Sequence, residues 1–146
     1  MKMKWYEYPL YLWCFLQFVL CLIVMCFIKG IKFERWYRGR PIFRFDKNAS
    51  KINRFFSGTA LFWTLLPTDA GIKTIGHEHG HHIQGNYWGP LYLPVIGISS
   101  LQNNLKSRYC RRTWENYYKL HPEYQADVWG LIEWENGERV YKGEGV

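Results

Sequence analysis

The chain has few cysteines and no pattern that would join them. Cys14, Cys21 and Cys26 fall within one apolar run and Cys110 stands alone, with no CxxC pair, which excludes a disulfide framework and leaves all four as structural thiols. Nor does a small residue precede Cys21, as lipid attachment would need. Acidic residues are also in short supply, 12 against 19 Lys and Arg, for a formal charge of +7. Such a balance raises nucleic acid as a partner. No recognition motif accompanies it, however, and the surplus clusters beside apolar segments, so no nucleic acid is expected among the partners. Internal repeats and low-complexity segments are absent as well.

Apolar surface, by contrast, is plentiful. From Pro9 to Ile28 the chain reads PLYLWCFLQFVLCLIVMCFI, with Gln17 as its only strongly polar side chain, and about twenty such residues suffice to cross a bilayer core as a helix. A cleaved signal peptide is the competing reading, since Lys2 and Lys4 make a short basic start. The stretch exceeds a usual apolar h-region, however, and no small-x-small cleavage site follows it before Lys29, so a retained single-pass anchor is expected. Lys29, Lys32, Arg35, Arg38, Arg40, Arg44 and Lys47 crowd its C-terminal side, which places the C-terminal domain in the cytoplasm by the positive-inside rule. The same charges, with Trp36 and Tyr37 among them, suit membrane lipids with anionic headgroups.

The organisation expected is an N-terminal tail and transmembrane helix over 1–29, a basic juxtamembrane connector over 30–54, a small α+β domain over 55–135, and a polar tail over 136–146. Eight Trp and eleven Tyr give a soluble part of roughly 110 residues adequate core area. Phe55 to Leu66, apolar and aromatic with a Ser-Gly interruption, predicts a strand, with a short amphipathic helix as the alternative. Pro67-Thr68-Asp69 offers a helix start and Gly85 a stop, which predicts a helix over 70–84. Gly71, Gly76 and Gly80 each cost that helix about 1 kcal/mol relative to Ala, so packing or a metal must stabilise it. Gly89 to Leu101 is too apolar for a free loop and too rich in Gly and Pro for a regular helix; it either lines the core or dips into the membrane interface. Residues 113 to 120 read as helical, and Pro122 suits the first turn of a helix running to about Trp134.

The chemistry is concentrated in Gly76-His77-Glu78-His79-Gly80-His81-His82. A single register of this string satisfies HExxH. On a helix His77 and His81 stand one turn apart and can aim both imidazoles at one Zn2+, while Glu78 lies about 100° away, where it can act as the base that activates a zinc-bound water. A third ligand is needed, and Glu123-Tyr124-Gln125-Ala126-Asp127 offers it. Glu123 and Asp127 are again one turn apart, so Glu123 can complete the zinc shell while Asp127 accepts the free N–H of a ligand imidazole.

HExxH followed downstream by ExxAD resembles the gluzincin zinc metallopeptidases, particularly the membrane-embedded group that includes the prenyl-protein proteases. The resemblance implies His77, His81 and Glu123 as ligands, Glu78 as base, Asp127 behind a ligand, and a peptide or protein substrate. A closer likeness is to small bacterial membrane proteins carrying HEYGH, a GPLYL-type loop and a YTExWAD-type helix. The matching strings here are HEHGH, GPLYLPVIGISS and HPEYQADVWG, within roughly residues 57 to 130. His79 replaces the usual Tyr and Pro122 the common Thr, and neither change removes a ligand. The resemblance further suggests that Phe55 to Leu66 supplies an edge strand for extended peptide.

The remaining histidines carry blander expectations. His79 shares a helix face with Ile72, Ile75 and Ile83 and is read as a packed, hydrogen-bonded histidine. His82 either assists a substrate or meets solvent, and His121 lies near enough in sequence to Glu123 to contact the site. Tyr117, Tyr118 and Tyr124 are all candidates for stabilising an oxyanion. The favoured function is a membrane-anchored zinc metallopeptidase. The alternative is a non-catalytic membrane-bound zinc-binding or scaffold protein whose metal supports a small domain; a metal-free helix pair, with His77 and His81 merely packing, is the blandest reading.

Overall fold

Pro41, Ile42 and Phe45 are buried along Arg40–Phe45, and this strand (β2) organises a four-stranded sheet in the computed structural model, which describes residues 14–56, 58–109 and 117–143. Its hairpin partner is β1 (Lys32–Tyr37), antiparallel across the turn at Arg38 and Gly39, where both residues have positive φ. The chain then passes through a short 3-10 turn and α2 (Lys51–Phe55), started by Ser50, whose hydroxyl accepts from the Asn53 amide. It returns as β3 (Thr59–Ala60) and β4 (Thr64–Pro67), giving the order β1-β2-β4-β3 with β2 and β4 parallel. The basic segment 30–54, expected as a connector, therefore supplies half of the sheet. Phe55 to Leu66 divides into a helix end and two short strands instead of one strand.

Side chains alternate across the sheet. Phe45 and Leu65 belong to one apolar cluster with Cys14, Cys21, Ile28 and Phe62; Ile42 and Leu66 belong to another with Tyr37 and Ile75. The first cluster is closed by α1 (Phe15–Phe27) and the second by α3 (Ile72–Trp88). After α3 come a 3-10 turn (Gly89–Leu91), a wide π turn (Leu93–Gly97), α4 (Ile98–Tyr109), α5 (Glu123–Trp129) and the hairpin of β5 (Ile132–Glu135) and β6 (Glu138–Tyr141). The fold is α+β.

The transmembrane helix is a correction. Among the described residues no helix is long and apolar enough to cross a membrane, so the single-pass anchor is not supported and the cytoplasmic placement of the C-terminal domain loses its basis. Helix α1 has 13 residues, about 20 Å at 1.5 Å per residue against a hydrocarbon core of about 30 Å; residues 9–13 of the apolar run lie outside the described residues. Cys14, just before α1, and Gln17 and Cys21 on one stripe of it are buried against the rest of the protein. Gln17, the polar exception in the run, donates from Nε2 to the Gly89 carbonyl at 3.1 Å. Hydropathy marked a segment that leaves water, and here the protein covers one side of it.

Further departures lie towards the C-terminus. Helix α3 does not stop at Gly85, which packs beneath Gln17, but runs to Trp88 and ends on Gly89 at φ 53°. Helix α5 ends at Trp129 rather than Trp134, and residues 138–141 of the expected tail form β6. Of the helix expected over 113–120, residues 113–116 lie outside the described residues, and of the remainder only Tyr117 and Tyr118 are helical.

Candidate metal centre

Helix α3, with glycines in its interior, and α5, which is followed by Gly130, carry the site, and the glycines explain the geometry. A Cβ added to Gly80 would lie 1.8 Å from the Ala126 carbonyl oxygen, and one on Gly130 would lie 2.0 Å from that of Gly76. Helices α3 and α5 thus meet backbone to backbone, closer than any side chain permits. This contact brings Glu123, fully buried, up to the two histidines. Glu123 Oε2 lies 3.1 Å from His77 Nε2 and 3.3 Å from His81 Nε2, and the three prospective ligand atoms lie within 4.8 Å of one another.

Hydrogen bonds behind the imidazoles fix what they present. Gln84 donates from Nε2 to the Pro122 carbonyl and to Gln125 Oε1, both at 3.0 Å. Its Oε1 is thereby left facing His81 Nδ1 at 2.7 Å, so Nδ1 must be the donor. His77 Nδ1 likewise donates to Asp127 Oδ1 at 2.7 Å. With both rings neutral, each would turn an Nε2 lone pair towards a carboxylate oxygen. Three acceptors would then converge, which is favourable only with a cation between them, either a metal ion or a proton on one imidazole. The other oxygen of Glu123, Oε1, is buried and has no hydrogen-bond partner among the described residues.

Titration behaviour follows the same arrangement. Burial alone would depress the His77 pKa, but its hydrogen bonds to Asp127 and Glu123 push it up to about 9. Burial would raise Glu123, and the imidazoles of His81 and His77 instead hold it far below the usual carboxylate range. A proton on His77 is the cation this cluster takes when no metal supplies the charge. Glu78, buried beside the histidines, is shifted upward by burial, with His77 and His81 opposing.

Asp127 is fully buried, and Arg139 of β6 holds it from the far side. Arg139 donates from Nε to Asp127 Oδ2 at 2.8 Å and from the guanidinium to Oδ1, while its plane lies 3.4 Å from the Tyr118 ring centre. Tyr118 in turn meets His77 edge to face at 5.1 Å. Gln84 and Arg139 were missed from sequence. Gln84 had a usable signal, its spacing of three from His81; Arg139 had none, because only the hairpin brings it to the site. Arg139→Gln is expected to weaken the binding of a metal ion added to this His77, His81 and Glu123 cluster about 10–100-fold, as loss of an outer-shell partner does, with the fold retained. Competition against a chromophoric chelator measures this, and an unchanged affinity would make Arg139 a brace for the hairpin alone.

The other histidines turn elsewhere. His79 packs edge to face on Tyr37 at 5.4 Å, and burial with Arg38 and Arg40 lowers its pKa to about 4. It is packed as expected, but its Nδ1 has no hydrogen-bond partner among the described residues. His82 is buried with Nε2 2.7 Å from the Thr64 hydroxyl, tying α3 to β4 and meeting neither solvent nor the metal cluster. His121 is exposed, and its carbonyl accepts from Asn103.

A cavity of about 790 Å³ opens directly on His77, Glu78 and His81. Strand β3 forms one wall: a Cβ on Gly58 would lie 3.1 Å from Glu78 Oε1, and Tyr92 donates its hydroxyl to the Ala60 carbonyl at 3.4 Å. Tyr92, Tyr117 and Tyr118 also line it, each with its pKa raised, by burial first, so that all three hydroxyls stay protonated. Tyr124 points to solvent. No family model matches the chain, and no curated protein or solved structure does either.

Proposed function

We propose that this chain is a small zinc-dependent peptidase, with His77, His81 and Glu123 as metal ligands and Glu78 as the general base. The observation that carries the reading is the convergence of three acceptors, their tautomers set from behind, on one point at the end of a cavity. Two imidazoles and a carboxylate are a donor set that suits zinc. Bound there, zinc supplies Lewis acidity, acidifying water and polarising a carbonyl.

The chain's own residues account for the remainder. Glu78, whose pKa burial raises above the usual carboxylate range, is suited to take a proton and pass it on. Asp127 and Gln84 hold the rings in position, and the protonated tyrosines offer hydrogen bonds to an oxygen on which negative charge develops. Strand β3 at the sheet edge lies where an extended peptide can run past Glu78. Structural zinc sites are usually closed by four protein ligands, whereas three converge here among the described residues and a cavity adjoins them. This favours catalysis over the scaffold alternative.

The test is metal content and hydrolysis together. Purified chain should carry one zinc, and Glu123→Ala should lose it or bind it at least about 100-fold more weakly, beyond the usual outer-shell loss. Cleavage of a mixed peptide library should stop on chelation and return with one equivalent of zinc. A wild type that holds no zinc, or a zinc-loaded protein that cuts nothing in the library, removes the peptidase reading.

A further inference from the structure

The walls of the cavity indicate what enters it. Leu20 of α1, Phe56 after α2, Leu93 and Pro94 of the π turn, and Ile98 and Leu101 of α4 make most of the lining apolar. Ile98 and Leu101, one turn apart, leave 53% and 55% of their surface exposed although they face a cavity. Such residues gain most from an apolar occupant that removes them from water. Apart from tyrosines, the ionisable side chains in the lining are His77, Glu78 and His81, among the described residues. Arg139, behind the histidines, is engaged by Asp127.

A peptidase that acts at a chain end holds the terminal amine or carboxylate with an opposite charge, and must spare that charge from the chemistry. The described lining offers no lysine or arginine, its two histidines face Glu123, and its one carboxylate is the base. We infer that the site receives an internal, uncharged, apolar stretch of polypeptide, with Ile98 and Leu101 at its entrance selecting for it, so that cleavage is endoproteolytic. This rests on the peptidase reading for the reaction; the apolar binding itself does not need turnover. The polar groups of the bound backbone are met by the edge of β3, while its side chains meet the apolar walls.

The experiment uses two end-blocked, dye-labelled peptides of equal length, one with a Leu, Phe and Ala centre and one with Lys and Glu replacing half of that centre. Binding is followed by fluorescence anisotropy on the zinc-loaded full chain and on Leu101→Glu, whose exposed position leaves the fold intact, as circular dichroism and zinc content verify. The apolar peptide should bind at least about tenfold more tightly than the charged one, and Leu101→Glu should erase most of that preference. Hydrolysis by the wild type should cut within the apolar centre. Equal binding of the two peptides, or removal of single residues from unblocked ends, overturns the inference. Preferential binding without any cleavage supports the apolar cleft and refutes the peptidase chemistry.

Discussion

Replacing Glu78 by Gln should lower peptide turnover by at least about 100-fold, the scale on which a positioned general base contributes, while the protein still holds one zinc. The substitution is close to isosteric, so it leaves the buried volume beside Gly58 and the ligand set untouched. What it removes is a group able to accept a proton. Burial has already raised that group above the usual carboxylate range, with His77 and His81 pulling the other way, and an amide cannot replace it. Glu78→Asp retains the acid but withdraws it by one methylene, so it should fall between wild type and Glu78→Gln. The readout is kcat/KM at matched zinc content. Full activity in Glu78→Gln would mean that another group takes the proton.

Gly80→Ala is expected to damage fold and site together. Alanine is the better helix former by about 1 kcal/mol, so an exposed helix would gain. Here the new methyl would lie 1.8 Å from the Ala126 carbonyl oxygen. That neighbour is backbone and cannot rotate aside. Overpacking of this kind costs about 3 kcal/mol, which outweighs the gain in propensity, and the net loss should lower Tm by roughly 10 °C for a domain of this size. Helix separation also withdraws Glu123, so zinc affinity should fall with stability. Thermal unfolding with and without zinc tests both effects. A variant within about 2 °C of wild type, by the same scaling, would show that the two helices do not meet through their backbones.

Much of the site was legible because its signals are local. HExxH fixes two imidazoles on one helical turn, ExxAD repeats the spacing, and the structure brings His77, His81, Glu123 and Asp127 together. The α+β class followed from apolar runs with strand and helix punctuation. The glycines of α3 were read as a helix cost awaiting compensation; the compensation is the approach of α5, which no single-helix pattern contains. The polar sequence after Glu135 read as a tail because its strand is only four residues long and buries none of them fully, and so Arg139 stayed hidden. The apolar run was misassigned for a different reason. Hydropathy reports transfer out of water and is silent on the destination, and the stripe of Cys14, Gln17 and Cys21 has its destination in the sheet and the end of α3.

The backbone contact between the two helices also sets how portable the site is. Grafting HEHGH and EYQAD onto an ordinary pair of packed helices, whose axes stand 8–10 Å apart by general rule, would copy every ligand and leave the carboxylate stranded. The transferable unit includes the small residues at 76, 80, 126 and 130 and the arginine on the neighbouring hairpin. A searcher for distant cousins of this protein would accordingly do better to look for that spacing of small residues alongside the ligands than for the ligands alone.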